Sequence, residues 1–421
     1  MKTWSNNGKI SSHTTWLNLP TYILQKMDVR ELSGTMVKFS HISDCHLGGW
    51  KQPELQELNL QSFKKAIETC IKEKVEFILI SGDLFDSAYP PIDILKETFS
   101  ELKKLHDSKI PCFIIAGSHD YSVSGKTFLD VLEKAGFCVN VTNFEEKGDL
   151  ILLNPIIYKN IAIYGYPGKK SSLEINDLRR IRLQESPGLF HILMLHTTID
   201  KAKGTIPVDS IETELLPQAD YYALGHMHLD FQYEKFVYPG PTFPNNFQEL
   251  EDLKYGSFYI VDTEEIQSLK RIDLKIKEVE SIHVKVNSAL TATDQIISEI
   301  KKRDIKDKIV LLRIKGNLEN GTPSDIKFTQ IEEIIIQKGA YFYLKNTHEL
   351  KTKEVEFNIQ AKDTENIEEE AIKIYLEDNP SKFNELIPSL IHSLSLDKQE
   401  DEKIAIFENR LIDETKRVLK F

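Results

Sequence analysis

The sequence is poor in cysteine and contains no long apolar run. Its 421 residues include 4 cysteines, and no two of them have the Cys-x-x-Cys spacing of a thiolate metal site. This scarcity excludes a disulfide framework and suits a reducing compartment. No apolar run approaches the roughly 18 residues that a membrane-spanning helix needs, and residues 1–30 hold no signal-peptide stretch. We therefore expect a cytoplasmic protein without a membrane partner.

Positive charge is also in deficit. The chain has 53 Lys and Arg against 65 Asp and Glu, a formal net charge of −12. This balance by itself argues against a nucleic-acid partner, which usually leaves a basic footprint. The charge is unevenly distributed, however. Residues 270–350 hold 15 Lys and Arg against 12 Asp and Glu, so only this middle block leans basic.

The chain is long enough for two or three domains, at roughly 150 residues per domain. Residues 1–35 are rich in Ser, Thr and Asn without a period, and we interpret them as a leader of unknown role. Strands and helices alternate over residues 36–265, which predicts an α/β domain with a mixed sheet. After a charged connection at 265–280, residues 275–350 have the pattern of a small βαβαβ domain. Residues 360–421 comprise a polar, acidic linker and two helices.

Acidic and histidine side chains follow the ends of five predicted strands. They are Asp44 and His46 after the first strand, Asp83 after the second, Ser118 and His119 after the third, His196 after a fourth, and His226 and His228 after a fifth. In open α/β sheets the ligand site lies beyond the carboxyl ends of the strands, so we expect these loops to converge. Asp44 and His46 are two residues apart, as are His226 and His228, so each pair can face one ion.

A lone His or Asp at a strand end is usually a hydrogen-bonded turn residue, but five such loops together indicate a metal centre. Oxygen and imidazole donors without thiolates favour manganese, iron or zinc over calcium or magnesium. Eight donors are too many for one ion. Two ions about 3.5–4 Å apart could share them and clamp the attacking and leaving oxygens of a phosphodiester. Asp83, alone on its loop, is the expected bridge.

These motifs resemble the calcineurin-like metallophosphoesterase superfamily. Four segments narrow the resemblance to the SbcD-like nuclease subunit of the DNA double-strand-break repair complex, in its archaeal form. They are residues 44–48 (DCHLG), 82–86 (GDLFD), 221–228 (YYALGHMH) and 238–240 (YPG). The match is specific over residues 36–262. It implies a mixed-sheet metallophosphoesterase sandwich, a small βαβαβ capping domain and a C-terminal helix-loop-helix.

The resemblance also implies a role for each site residue and a cofactor of two Mn²⁺ ions per chain. One ion would be held by Asp44, His46, Asp83 and His228, and the other by Asp83, Ser118, His196 and His226. His119 would face the scissile phosphate and would protonate the leaving oxygen or stabilise its charge. The superfamily usually has Asn at the position of Ser118. Because a hydroxyl is a shorter and poorer donor, we expect the second ion to bind more weakly or to take a water there.

The resemblance also implies binding partners for the capping domain and for the C-terminal helices. The family's cap contacts DNA, and its helix-loop-helix grips the coiled coil of an ABC-type ATPase. A basic cluster in the βαβαβ unit could meet DNA phosphates by counterion release, or be an ordinary solvated helix end. It consists of Lys301, Lys302, Arg303, Lys306 and Lys308. Homodimerisation rests on the resemblance alone, with the helices at 55–73 and 92–107 as candidate contacts.

Apolar residues of the two C-terminal helices form a stripe on each helix. They either bind the ATPase partner or pack as a helical hairpin against the body. The residues are Phe383, Leu386, Leu390, Ile404, Phe407 and Leu411.

The sequence thus predicts a manganese-dependent DNA nuclease, exonuclease or endonuclease, that processes DNA ends with an ABC-type ATPase. Two rival hypotheses stay open. The same site could act on a small nucleotide, a nucleotide-sugar or a phosphoprotein, or the chain could be a DNA-tethering scaffold whose centre is weakened by Ser118.

Overall fold

The computed structural model describes residues 37–122, 127–265, 269–352, 376, 381, 383–399 and 404–419. The chain divides into two compact units, Met1–Lys351 and Thr352–Phe421. The leader expected at 1–35 and the acidic linker expected at the beginning of residues 360–421 lie outside the described residues. The boundaries of the four expected segments therefore stay a prediction.

The described strands are short, and nearly all of them belong to the first 265 residues or to the βαβαβ region. In chain order they are β1 Lys38–Ile42, β2 Phe77–Ser81, β3 Cys112–Ile115, β4 Val139–Asn140, β5 Phe144–Lys147, β6 Leu150–Leu153, β7 Ile156–Tyr158, β8 Ile161–Tyr166, β9 Ile181–Leu183, β10 Phe190–His196, β11 Tyr221–Gly225, β12 Asp230–Tyr233, β13 Phe236–Pro239, β14 Gly256–Asp262, β15 Lys270–Leu274, β16 Val279–Lys285, β17 Ile309–Leu318 and β18 Phe342–Thr352.

The helices alternate with the early strands and recur near the end of the chain. They are α1 Pro53–Lys72, α2 Ile92–Asp107, α3 Phe128–Lys134, α4 Glu174–Leu178, α5 Phe247–Leu253, α6 Ala289–Lys301, α7 Phe328–Gln337, α8 Ile387–Leu394 and α9 Ile404–Leu419. Among the described helices, none combines the length and the apolar character that crossing a bilayer requires.

Two six-stranded mixed sheets pack face to face and form a sandwich. Their strand orders are β15-β14-β1-β2-β3-β4 and β12-β13-β11-β10-β8-β7. Successive residues of a strand point to opposite faces, so Phe77 and Leu79 of β2 pack between the sheets while Ile78 and Ile80 face the helical layer. Ile163 and Met194 meet the first pair from the second sheet. The predicted α/β fold class with a mixed sheet is confirmed.

Strands β16, β17 and β18 form a separate sheet covered by α6 and α7, and we call residues 279–352 the cap. The cap has its own apolar core. A further cluster joins it to the sandwich, where Ile309 and Leu311 of the cap pack with Trp50, Leu55 and Leu250. The cap and the sandwich therefore share buried surface within the first unit.

Two strand boundaries are not evident from the sequence pattern. Residues 150–158 form two strands, β6 and β7, rather than one continuous strand, because Asn154 and Pro155 interrupt the ladder and proline has no N–H to donate. The charged connection expected at 265–280 contains β15, which pairs antiparallel with β14 at the edge of the first sheet. An edge strand keeps one side in solvent, so it tolerates the charges that suggested a linker.

In the second unit, α8 and α9 pack against each other. Phe383 is exposed, while Leu386, Leu390, Phe407 and Leu411 are half-buried within that unit. The side chain of Ile404 lies outside the described part of the chain.

Candidate metal centre

Five loops bring the acids and histidines of the sequence motifs to one edge of the sandwich. Strands β1, β2 and β3 are parallel to one another, as are β8, β10 and β11. The carboxyl ends within each set share an edge of their sheet, and the 3.1 Å contact between Asp83 and His196 shows that the two edges meet. Four residues there, Asp44, His46, Asp83 and His226, have positive φ angles of 50°, 43°, 49° and 95°. Such left-handed backbone in residues other than glycine is costly and is concentrated at functional sites.

The two carboxylates lie at the centre of the cluster. In each of three sets of side chains, the ligand atoms lie within 4.8 Å of one another. Asp44, His46 and Asp83 each belong to two of the three sets. They are Asp44, His46 and His228; His46, Asp83 and His119; and Asp44, Asp83 and His196. Oδ2 of Asp83 is 3.1 Å from Nε2 of His196 and 3.6 Å from Nε2 of His46. Asp83 thus lies between two groups of imidazoles.

The remaining two expected ligands lie beside the Asp83–His196 pair. Oγ of Ser118 is 3.4 Å from Oδ2 of Asp83. The ring centroid of His226 is 5.1 Å from that of His196, and the backbone N–H of His226 donates to Asp44 at 2.9 Å. All eight residues of the sequence prediction therefore meet in one place.

Hydrogen bonds behind the imidazoles fix which nitrogen carries the proton. Nδ1 of His46 donates to Asp86 at 3.0 Å, Nδ1 of His228 to Glu249 at 2.9 Å, and Nδ1 of His196 to the carbonyl of Ser81 at 3.0 Å. These partners can only accept, so each ring presents the lone pair of Nε2 to the centre. This arrangement is typical of metal-binding histidines.

The Nε2 lone pairs that point into the centre face other hydrogen-bond acceptors. Whether a cation fits the site can be judged from these contacts. Nε2 of His46 and Nε2 of His228 are 2.9 Å apart. Nε2 of His196 faces Asp83, and it is fully buried with no hydrogen-bond partner among the described residues. Acceptors this close repel unless a proton or a cation lies between them. A divalent ion bound by imidazole nitrogen and carboxylate oxygen fits this donor set.

The pKa values show how strongly the centre attracts positive charge. Burial opposes protonation of His196 and His228, but the carboxylate of Asp83 and the hydrogen bond to Glu249, respectively, raise their pKa to about 10 and about 9. Burial also disfavours the charged form of Asp83, yet the charge of His196 outweighs it and holds the pKa of Asp83 well below its usual range. A divalent cation would displace such protons, so its binding should release them.

His226 differs from its neighbours. Burial and the nearby charge of His196 lower its pKa to about 4. Its ring is therefore a neutral imidazole at physiological pH, which is the form that binds a metal ion.

Two glycines allow the loops to approach this closely. A Cβ at Gly117 would lie 2.1 Å from Oδ1 of Asp83, and a Cβ at Gly225 would lie 2.1 Å from the carbonyl oxygen of Ser81. Atoms of a side chain cannot approach so closely, so both loops need glycine where they pass the centre.

Four polar residues that support the site were given no role by sequence reasoning. Asp86 and Glu249 orient His46 and His228, and Asn245 donates to both the Asp86 and the Glu249 carboxylates. Asp120 accepts from the backbone N–H groups of Leu84, Phe85 and Gly117, which ties the second and third loops together. Asp86 and Asp120 each lie within three residues of a predicted ligand, a signal that could have found them, whereas Glu249 and Asn245 have no such signal.

A cleft of about 710 Å³ opens beside the centre. It is lined by Ser118, His119 and Asp86 of the site loops, and also by Tyr89 and Lys170. The side chain of His119 is 46% exposed, whereas that of His196 is fully buried. Nδ1 of His119 donates to the backbone carbonyl of Asp86 at 2.9 Å, so its Nε2 is available to a bound molecule.

The basic cluster of the cap lies away from these residues in sequence and is partly neutralised. Lys302 pairs with Glu299 and Arg303 with Glu280, while Lys308 lies near both Glu278 and Asp304. Among the described residues, Lys301 and Lys306 have no acidic partner. A role of the cluster in DNA binding stays a prediction.

Comparison with known proteins agrees with this geometry. The family model for calcineurin-like phosphoesterases matches residues 37–230. The chain is 30% identical to the DNA double-strand break repair protein Mre11 of Methanocaldococcus jannaschii over 287 residues, which cover 63% of this chain and 75% of that protein.

Two further relatives carry the same name. The protein of Methanosarcina mazei is 29% identical over 81% of this chain and 52% of its own length, so the chain spans about half of that relative. The protein of Sulfolobus acidocaldarius is 26% identical over 86% of this chain and 92% of its own length. With its two sheets, its strand-end carboxylates and imidazoles and these matches, the chain belongs to the calcineurin-like metallophosphoesterase family.

Proposed function

We propose that this protein is a manganese-dependent DNA nuclease with two metal ions, acting in double-strand-break repair. The observation that carries the proposal is the centre itself: two buried carboxylates surrounded by imidazoles whose lone pairs face acceptors, at the wall of an open cleft. The relatives named as DNA double-strand break repair proteins support DNA as the substrate.

The residues divide between the ions as the family resemblance implies. Asp44, His46, Asp83 and His228 would hold one ion, and Asp83, Ser118, His196 and His226 the other. When bound, the two ions would polarise the phosphodiester and stabilise charge on its attacking and leaving oxygens. The nitrogen and oxygen donors suit manganese, and the donor set contains no thiolate.

His119 is the residue that we expect to handle a proton. It is the most exposed imidazole of the centre, and it lines the cleft. The hydrogen bond from its Nδ1 to the carbonyl of Asp86 holds the ring in place. From there its Nε2 can donate a proton to, or stabilise charge on, the leaving oxygen.

The partners belong to the same proposal. DNA ends would enter the cleft, the cap would contact DNA through its basic cluster, and the C-terminal helices would bind the coiled coil of an ABC-type ATPase. The protein would act as a homodimer in the cytoplasm. Because acidic residues neutralise much of the basic cluster, we expect the isolated chain to bind DNA weakly and in a salt-sensitive way.

The test is degradation of an end-labelled DNA duplex in Mn²⁺. We expect His119→Gln to lower the rate by about 10²- to 10⁴-fold, the range for loss of a general acid, and Asp83→Asn to abolish turnover. His348→Gln, at an exposed position of β18, is the matched control and should leave the rate unchanged. Equal degradation by wild type and both site variants would show that the activity is a contaminant.

A second candidate function is hydrolysis of a small nucleotide phosphodiester. The cleft of about 710 Å³ favours it, because small-molecule sites occupy about 300–1,000 Å³. A cyclic nucleotide and bis(p-nitrophenyl) phosphate assayed beside duplex DNA distinguish the two. Turnover of the small esters without any cleavage of DNA would support this second function and refute the first.

A further inference from the structure

Helix α5 lies between the metal centre and the cap. It spans only seven residues, Phe247–Leu253, and begins at Asn246, whose side chain accepts a hydrogen bond from the backbone N–H of Glu249. Because the helix is so short, a force on one of its turns must displace the other. The two sides of α5 contact different structures.

On the side of the metal centre, Glu249 holds His228. Oε1 of Glu249 accepts from Nδ1 of His228 at 2.9 Å and from Nδ2 of Asn246 at 2.6 Å, and Oε2 accepts from the backbone N–H of Asn245 at 2.7 Å. The carboxylate is therefore fixed to the first turn of α5. The direction of the His228 ring follows the position of that turn.

On the opposite side, Arg313 of β17 binds the same helix. Its Nη2 and Nε donate to Glu251 at 2.6 and 2.9 Å, and Nη2 also donates to Oε1 of Gln248 at 2.7 Å. The guanidinium carbon lies 5.0 Å from the ring centre of Phe247. Both members of the Arg313–Glu251 pair are nearly buried, with 12% and 11% of their side chains exposed. A forked, partly desolvated pair of this kind is far more directional than a surface ion pair.

The cap makes two more contacts with α5. His283 of β16 is hydrogen-bonded to Glu251 at 2.9 Å, and Leu250 is fully buried in the cluster that includes Ile309 and Leu311 of the cap. Phe247, Gln248, Leu250 and Glu251 thus contact or pack with the cap while Glu249 contacts the metal centre.

We propose that Arg313 is a positioning residue that sets the direction of the His228 ring through α5, so that the position of the cap controls metal affinity. A cap that moves relative to the sandwich carries the Arg313 fork with it. The fork turns α5, and Glu249 then turns the imidazole away from the other ligands. The inference rests on the metal centre of the proposed function, but not on DNA as the substrate.

The test is calorimetric titration of the full-length protein with MnCl₂. We expect Arg313→Ala to weaken Mn²⁺ binding about tenfold, at the lower end of the 10- to 100-fold loss seen when the hydrogen-bond partner of a metal ligand is removed. Arg313→Lys keeps the charge but not the fork, so its affinity should be intermediate. Tyr341→Phe is the matched control, because it removes only a hydroxyl that joins the cap to the carbonyl of Glu54 and keeps the ring that packs on the shared apolar cluster. It should bind Mn²⁺ like the wild type.

A double variant separates this role from a general loss of cap packing. Glu249→Ala cuts the connection between α5 and His228, so adding Arg313→Ala should weaken Mn²⁺ binding by no more than a further twofold. Wild-type affinity in Arg313→Ala, or losses that multiply in the double variant, would overturn the inference. Thermal melts confirm that each variant is folded. Failure to cleave DNA alongside normal Mn²⁺ binding would instead refute the proposed substrate and would leave this titration decisive.

Discussion

Asp86 offers the sharpest test of how the centre is built, because its carboxylate and its backbone carbonyl accept hydrogen bonds from different imidazoles. The carboxylate accepts from Nδ1 of His46 at 3.0 Å, and the backbone carbonyl accepts from Nδ1 of His119 at 2.9 Å. Substitution of Asp86 by Asn removes the charge but retains the carbonyl. The variant therefore perturbs His46 more than His119, because Oδ1 of Asp86 is 3.5 Å from Nδ1 of His119 and the ring keeps its hydrogen bond to the backbone carbonyl.

The expected loss of Mn²⁺ affinity in Asp86→Asn depends on whether the new side-chain amide can still accept the hydrogen bond from His46. Nδ2 of Asn245 lies 3.5 Å from Oδ1 of Asp86, so an amide oxygen at Asp86→Asn would still be oriented to accept from His46. The tautomer of His46 survives, and only the polarisation of the ring by a full charge is lost. We therefore expect the lower end of the 10- to 100-fold range, about tenfold weaker Mn²⁺ binding or about 1.4 kcal/mol. Asp86→Ala leaves Nδ1 of His46 without its acceptor and should cost about 100-fold.

Calorimetric titration with MnCl₂ measures both variants, and Asp107→Asn on the exposed end of α2 is the control. Because the contact to His119 is retained, saturating Mn²⁺ should restore most of the turnover of Asp86→Asn. Two results would refute the reasoning: unchanged Mn²⁺ affinity in Asp86→Ala, or a turnover of Asp86→Asn that stays low at saturating Mn²⁺.

Two other predictions concern the second ion and the buried core. Ser118→Asn supplies an amide oxygen that reaches further than the hydroxyl, and gives up only a long hydrogen bond to Asp83 of 3.4 Å. The second Mn²⁺ should then bind about tenfold more tightly in the same titration, and an unchanged isotherm would contradict this. His41 is fully buried, and burial lowers its pKa from 6.5 to about 3. Below pH 6.5 only the unfolded chain gains this proton, so the stability that neutral His41 provides is complete above pH 6.5 and falls by up to about 1.4 kcal/mol per pH unit towards pH 3. Urea titrations at pH 7 and pH 5 should show this contribution in wild type and in the exposed control His348→Leu, but not in His41→Leu.

The sequence was most informative where chemistry and periodicity coincide. Asp44, Asp83 and His196 each follow a buried apolar strand, and a short apolar run that ends in a polar, ionisable residue is recognisable without an alignment. Because ligand sites in open α/β sheets lie beyond the carboxyl ends of the strands, these residues were expected to converge. The predicted bounds of α2, residues 92–107, agree with the observed Ile92–Asp107 for the same reason, since its apolar positions repeat at helical spacing.

What the sequence could not supply are contacts between residues far apart in the chain. Glu249 lies 21 residues beyond His228, on a two-turn helix whose sequence has no distinct period. Arg313 and Glu251 are 62 residues apart. Arg313 lies in β17 of the cap and Glu251 in α5. No local pattern marks such a pair, because its partners are selected by the packing of the cap on the sandwich. Strand β15 was missed because of a misleading local pattern. Its charged residues Lys270, Arg271 and Asp273 are typical of a linker, although the segment is an edge strand.

The supports behind the imidazoles divide the centre into a rigid part and an adjustable part. His196 is held by the carbonyl of Ser81 in β2, and His46 by Asp86 in the loop that follows β2, so both depend on the core sheet. His228 depends on Glu249, and through α5 on the cap. In the proposed function the two ions should consequently be weakened for different reasons. The ion expected at the Asp83–His196 pair is weakened by the serine at position 118, and the ion expected at His228 is weakened by displacement of the cap. Ser118→Asn and Arg313→Ala therefore act first on different ions. Because Asp83 is expected to bind both ions, the Mn²⁺ isotherm of the combined variant should depart from the sum of the two single changes, and the departure measures the coupling between the sites.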